Sequence, residues 1–184
     1  AAQSEFRVVC AETDPAKANL ARNRLAAAGL YGSRVVVHSI SGGRLPYLSY
    51  FANLIVADGR TTGGSLPFSA AELYRVLRPC GGTLVLVPPP GGMDGAAVQA
   101  WGGSIPGWKA ESLANGSLVG MARRGPQEGA GEWSHFHADG GNSACSQDAL
   151  QHGPVDVQWF GRPGPRRMPD RHDKNVGPLH KNGR

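Results

Sequence analysis

Three polar side chains end a short valine-rich run. Glu12, Thr13 and Asp14 follow the valine-rich run Arg7–Ala11 and precede a helix-like stretch that ends at Gly29. An acidic residue where a strand ends can do one of two jobs. In open α/β folds it can accept hydrogen bonds from ribose hydroxyls. It can also simply favour the start of the next helix by its charge. Both readings stand for Glu12. Asp58 is the only ionisable group at the end of a later apolar run, Asn53–Val56. It is either a base or polar wall for a reacting group, or one half of an ordinary Asp-Gly turn with Gly59. His135-x-His137, joined by His172 or His180, raises the question of a metal. A metal site needs three or four converging ligands and a supporting shell. Alternating histidines in an extended segment only share a face, so no metal is expected. No set of nucleophile, base and orienting group is visible.

These residues need elements to position them. Arg7–Ala11 reads as a parallel strand buried on both faces, which makes Cys10 a small core residue. Asp14 suits an N-cap with Pro15 at the first helical position. The helix carries Ala18, Ala21, Leu25 and Ala28 on one stripe, and Gly29 is a natural C′ residue. Ser33–Ile40 is a second strand. Tyr50–Ala57 holds a third, ending at Asp58-Gly59, and Arg60–Pro67 is a loop. Phe68–Leu77 is a helix with Ser69 and Glu72 as a capping box and Ala70, Leu73, Val76 and Leu77 facing the core. Arg78-Pro79-Cys80-Gly81-Gly82 breaks it before a fourth strand, Thr83–Val87. Asp94–Trp101 reads as a short helix. Trp108–Leu113 and Ser117–Arg123 flank Asn115-Gly116, the pair favoured in a type I′ hairpin turn. This layout is that of a doubly wound α/β domain with an antiparallel hairpin at one edge, ending near Arg124.

From Gly125 the character changes. Gly and Pro are frequent, apolar periodicity fades, and every histidine except His38 lies here. Val155–Phe160 reads as one strand and Gly161–Pro169 as a loop. The last residues cannot bury a core of their own.

Composition narrows the function classes. The 184 residues carry a net charge of +5 with charged residues at only 18% and no basic block, so nucleic acid is not expected as a partner. The 3 cysteines, Cys10, Cys80 and Cys145, are far apart and make neither a disulfide framework nor a zinc pattern. No apolar run reaches membrane-spanning length, so no membrane segment is expected. The chain opens Ala-Ala-Gln, which is read as processed or truncated.

Residues 1–124 resemble class I S-adenosylmethionine-dependent methyltransferases. VVCAETD with the helix ending in AAAGL looks like their second strand and its helix. RVVVHSIS looks like the third strand, ANLIVADG like the fourth, and AAELYRVLRPCGGTLVLV like the helix, turn and fifth strand. The hairpin matches the sixth and seventh. The resemblance implies a Rossmann-like doubly wound sheet, mostly parallel with a C-terminal antiparallel hairpin and incomplete at the N-terminus. It implies S-adenosylmethionine as cofactor. Glu12 takes the ribose-binding position, with Thr13, Ser39, Ile40 and Ala57 near the cofactor. Asp58 borders the transfer cleft, and the acceptor is an unknown small molecule or protein.

Several features depart from the family. Its first strand and Gly-rich loop have no counterpart before Arg7, so a fragment of a larger polypeptide is expected. The acidic residue common after the third strand is replaced by His38, Ser39 and Ile40, and Cys80 intrudes in the turn. No Asn-Pro-Pro-Tyr-type element follows the fourth strand. A dehydrogenase would share the acidic residue at Glu12, but the Leu77–Val87 block and the hairpin argue against it.

Residues 125–184 resemble the lead-in to pyrroloquinoline-quinone-type β-propellers, on GEWSHFHADGGNSACSQD, GPVDVQWFG and the segments that follow. In that reading Trp133 and Trp159 are packing anchors, and pyrroloquinoline quinone enters only by analogy for the propeller. The two resemblances point to different compartments, cytoplasmic for a methyltransferase and periplasmic for a quinone-type propeller. A non-catalytic scaffold joined to such a propeller is the rival to an enzyme.

Overall fold

The computed structural model describes residues 5–61, 66–89, 91–145 and 147–150. Two compact units emerge, residues 1–124 and 125–184. The expected strand Val155–Phe160 and loop Gly161–Pro169 lie outside the described residues, as do Trp159, His172 and His180.

In the first unit the elements run β1 (Val8–Glu12), α1 (Pro15–Ala27), β2 (Val35–Ser39), β3 (Leu54–Asp58), α2 (Ala70–Val76), β4 (Thr83–Val87), α3 (Gly95–Trp101), β5 (Lys109–Ser112) and β6 (Leu118–Arg123). Polar residues fix the helix starts. The Asp14 carboxylate accepts from the N–H groups of Ala16 and Lys17 at 2.8 and 3.3 Å. Asp94 does the same for Ala97 at 2.8 Å. Gly29, at φ 67°, closes α1 in the left-handed conformation that a C′ residue adopts. The capping box of α2 forms only by half. Ser69 Oγ accepts from Glu72 N–H at 3.2 Å, while the Glu72 carboxylate turns to Leu45 N–H and Arg75 instead.

Strand pairing is mixed. β1 and β2 form one parallel pair, with Cys10 opposite Val37 and Glu12 opposite Ser39. β3, β4, β6 and β5 form a second sheet in that order. β3 and β4 are parallel, with Asp58 opposite Val87. β6 is antiparallel to both of its neighbours. No ladder joins β1 to β3 among the described residues.

The core contains Ile40, Leu45, Phe68, Leu73, Val76, Leu77, Leu84, Leu86, Val98, Ile105 and Trp108. The apolar stripe expected of α2 is buried as read, through Ala70, Leu73, Val76 and Leu77. Trp108 packs so tightly that a Cβ on Gly120 would lie 2.1 Å from its ring. Its indole N–H donates to Val98 O at 2.9 Å, the partner a buried tryptophan requires.

Three expectations need correction. β1 is not buried on both faces: Val8 and Val9 are 39% and 37% exposed, and Cys10 is exposed as well. Consecutive strand residues point to opposite faces, so β1 is partly open on both faces, and among the described residues it pairs with a strand at one edge only. The stripe on α1 is shallow for the same reason. Ala18 is buried, Ala21 and Leu25 are half-buried and Ala28 is exposed. The hairpin turn is not type I′ either. Gly116 alone is left-handed, at φ 78°. Its N–H donates to Leu113 O and Leu113 N–H donates to Ser117 O, both at 2.8 Å. This is a three-residue loop with glycine at the left-handed position, the next commonest hairpin solution.

The second unit, over its described residues, is mostly irregular. A bridge pairs His135 with Ala138. Asp139 organises the following turn by accepting from Ser143 Oγ at 2.7 Å and from Gly141 N–H at 2.9 Å. The Trp133 indole N–H is buried and finds no acceptor among the described residues.

Candidate functional site

In open α/β sheets ligands sit beyond the carboxyl ends of the parallel strands. Four such ends exist here: Glu12-Thr13 after β1, Ser39-Ile40 after β2, Ala57-Asp58 after β3 and Val87-Pro88 after β4.

The first two ends are joined directly. Ile40 N–H donates to Glu12 O at 2.8 Å, and Glu12 and Ser39 are register partners. The Glu12 side chain is half-buried. Its Oε1 accepts from Asp14 N–H at 2.9 Å, and Oε2 has no partner among the described residues. The carboxylate therefore keeps acceptor capacity at the strand end. Thr13 and Ser39 are exposed. Ile40 is only 6% exposed and belongs to the core, so a ligand beside it meets its backbone rather than its side chain.

Beneath this end lies a small polar and aromatic group that the sequence did not signal. Tyr47 Oη and His38 Nδ1 are 2.9 Å apart, and the Tyr47 ring stacks on Phe51 at 4.9 Å. Burial raises the Tyr47 pKa, and Cys10 raises it further. Although Cys10 as a residue is open to solvent, its sulfur is partly desolvated. That desolvation pushes the thiol up, with the charge of Glu12 adding to it. Both effects disfavour the thiolate, which is the nucleophilic form of a cysteine.

The third end carries Ala57, half-buried beside the core, and Asp58. Arg60 grips the Asp58 carboxylate in a fork, Nε to Oδ1 at 2.9 Å and Nη2 to Oδ2 at 2.8 Å. Arg60 N–H adds a bond at 3.0 Å. The Arg60 hydrogen bonds hold the Asp58 carboxyl below its ordinary pKa. A base works best with a pKa near the working pH, and these contacts move Asp58 the other way. The turn is held tight by Gly59, where a Cβ would lie 2.7 Å from the Pro89 ring.

A cavity of about 420 Å³ opens beside this turn, lined by Arg60, Pro88, Pro89, Met93, Leu113 and Leu118 among others. Glu12, Ser39 and Ala57 do not line it. The second unit has its own smaller cavity of about 310 Å³, lined by Glu132, Ser134, Asp139 and Cys145 among others. The strand-end cavity is the better candidate, because parallel strands and a helix-linked turn converge on it. Among the described residues no group of three or more His, Cys, Asp or Glu side chains is placed to hold a metal. No helix among them is long and apolar enough to cross a membrane.

No protein-family model matches the chain, and no curated protein matches it. Solved structures do. A SAM-dependent methyltransferase from Aquifex aeolicus aligns at a TM-score of 0.49 with 16% identity, over 64% of this chain and 68% of that one. A candidate S-adenosyl-L-methionine-dependent methyltransferase from Methanococcus maripaludis aligns at 0.57 with 16% identity, over 69% of this chain and 71% of that one. The fold is Rossmann-like. At this identity the likeness speaks for architecture. The mixed sheet with its antiparallel hairpin is the arrangement the sequence led us to expect.

Proposed function

We propose that the chain is part of an S-adenosylmethionine-dependent methyltransferase, a fragment that carries one side of the cofactor site. The observation that supports this most directly is Glu12, half-buried at the carboxyl end of β1 with Oε2 unengaged. A carboxylate so placed accepts two hydrogen bonds from a ribose diol. Thr13 and Ser39 flank it with hydroxyls, the Ile40 backbone borders the adenine side, and Ala57 lines the floor after β3. The cofactor supplies an electrophilic methyl group on a sulfonium. The chain's task is to hold that methyl in line with an acceptor and keep water away. The acceptor is an unidentified small molecule or protein, and the cavity beside Arg60, Pro88 and Met93 is the place for it.

Isothermal titration of the full polypeptide with S-adenosylmethionine tests this reading. Binding that weakens on Glu12→Ala supports it, and absence of binding sinks it. The 184-residue chain alone is expected to bind weakly or not at all, since it lacks a Gly-rich loop beside Glu12.

A second reading draws on Asp58. Its carboxylate is engaged by Arg60 through both oxygens, as in a structural turn. That favours a non-catalytic Rossmann-like scaffold. Binding of S-adenosylmethionine without any methyl transfer to protein or small-molecule acceptors in lysate would support the scaffold.

A further inference from the structure

Arg60 has an edge that the turn around Asp58 does not use. A guanidinium carries five N–H donors in a planar fork. Asp58 takes one edge of it, Nε at 2.9 Å and Nη2 at 2.8 Å. The remaining edge, Nη1 with the second hydrogen of Nη2, has no acceptor among the described residues. Although the Arg60 side chain is 60% exposed, the Asp58 grip fixes the plane of that edge. A free arginine loses rotamer freedom when it captures a ligand, and this one has given up much of it beforehand.

Arg60 lines the cavity of about 420 Å³, and Asp58 does not. Around the guanidinium the cavity is apolar: Pro89 and Val119 are buried, Met93 and Leu118 half-buried. Two further polar side chains stand on the lining, both from the hairpin loop. Ser117 N–H donates to Asn115 Oδ1 at 3.0 Å, which sets the amide orientation and leaves Nδ2 as a donor. The Ser117 hydroxyl has no partner among the described residues. Every polar side chain on the lining can therefore donate, one carries a full positive charge, and no carboxylate lines the cavity among the described residues. Asp94, next to Met93 in sequence, turns its Oδ1 to the Ala97 N–H at 2.8 Å.

Such a lining sorts small molecules by charge. An ammonium would meet Arg60 and no counter-ion. A polyol would lose water from its hydroxyls against Pro89, Met93 and Leu118 and find few acceptors in exchange. A carboxylate meets two parallel N–H groups in the bidentate geometry, and an apolar body covers the rest. We propose that this cavity binds a small apolar monocarboxylic acid, its carboxylate on the Nη1–Nη2 edge of Arg60 and its hydrocarbon body against Pro89, Met93 and Leu118. Asp58 opposes the anion by charge and favours it by holding the fork. The ligand sits nearer the cation than Asp58 does, and water at the exposed guanidinium screens the repulsion. That such an acid is the methyl acceptor rests on the methyltransferase reading; that the cavity holds it does not.

The test is a methyl-resolved NMR titration of the protein, without S-adenosylmethionine, using three flat probes of similar shape: 2-naphthoate, 2-naphthamide and 2-naphthylmethylammonium. The 2-naphthoate ring should shift the Met93, Leu113 and Leu118 methyls. It should bind about three- to tenfold more tightly than the amide, with the ammonium weakest. Arg60→Gln should make carboxylate and amide bind alike. Since that change also removes the partner of Asp58, a second variant keeps the fork intact. Leu113 lines the cavity and is 47% exposed, so Leu113→Glu adds a negative charge there without opening the core. It should invert the order, ammonium over carboxylate. The proposal is overturned if the amide binds the unmodified protein as tightly as the carboxylate, if the shifted methyls lie away from the cavity, or if Leu113→Glu leaves the order unchanged. Selective 2-naphthoate binding by a protein that binds no S-adenosylmethionine would uphold the acid site and remove the methyltransferase reading. The reverse result would remove the acid site alone.

Discussion

Glu72 on α2 and Leu45 in the loop after β2 are tied by a 2.8 Å hydrogen bond from the Leu45 N–H to Oε1. The same carboxylate grips Arg75 at 2.7 and 2.9 Å. Arg75 in turn donates to Tyr47 O and Leu45 O at 2.9 and 3.2 Å. One ion pair thus fastens the long β2–β3 connection to the core helix. The Arg75 bond, with the Leu45 N–H and the charge of Arg75 assisting, holds the Glu72 carboxyl below its ordinary pKa. A lowered native pKa means stability that is present above the unfolded glutamate pKa and lost as pH falls through the native one. Glu72→Gln should therefore cost about 1–3 kcal/mol at neutral pH. Urea titrations at descending pH should show the gap between the two proteins closing below about pH 4. A gap that persists unchanged at pH 2 would point to packing instead.

Arg124 is a second clamp. It is buried, and it donates to Tyr74 O at 2.6 Å and Leu77 O at 2.8 Å. Its guanidinium lies 4.8 Å from the Tyr50 ring centre and 4.4 Å from that of Tyr74. Arg124→Leu keeps bulk but strands the Leu77 carbonyl at the end of α2 and leaves Tyr74 O with the Leu77 N–H bond at 3.2 Å, at a cost of about 1–3 kcal/mol. Arg124→Lys should recover only part of this, since an ammonium lacks the planar fork. Equilibrium denaturation of the three proteins measures both steps.

Cys80 sits at φ 58° and Gly81 at φ 117° in the turn before β4. The left-handed region costs a residue with a Cβ about 1–2 kcal/mol, part of which glycine gives back in unfolded-state entropy. Cys80→Gly should stabilise the first unit by about 0.5–1 kcal/mol, and Cys80→Val should destabilise it. Thermal unfolding of both variants gives the two signs.

Asp58 makes a sharp functional prediction. With both oxygens on Arg60 and its pKa lowered, the expectation is a structural anchor rather than a proton acceptor. In a methyl-transferring full polypeptide, Asp58→Asn should slow turnover by less than about tenfold. Loss of a general base would cost about 10²–10⁴. A steep loss with an unchanged melting temperature would restore Asp58 to the chemistry.

Much of this was legible in the residues. Asp14, Ser69 and Asp94 announce helix starts because a side-chain acceptor near free N–H groups is a local matter. The stripe on α2 was legible because its core is complete. What failed was whatever depended on a neighbour. A buried strand was expected at Arg7–Ala11 because valines say only that a residue can be buried, and here, among the described residues, only β2 pairs with it. Glu72 looked like half of a capping box, but Leu45, distant in sequence, offered a better donor. Asn115-Gly116 marked the turn, while its type followed from the register of β5 and β6. At the site, the Glu12 position was readable. The Arg60 fork on Asp58 and the pairing of His38 with Tyr47 were not, because each depends on side-chain directions that spacing does not encode.

The Trp101 and Trp108 rings lie 5.3 Å apart and are inclined by 53°. Indoles that close couple their electronic transitions, so the first unit carries a built-in optical reporter. A far-ultraviolet couplet from this pair is expected only when α3 and the approach to β5 are locked together. That signal allows the melting of the first unit to be followed separately from Trp133 in the second, without a label or a ligand.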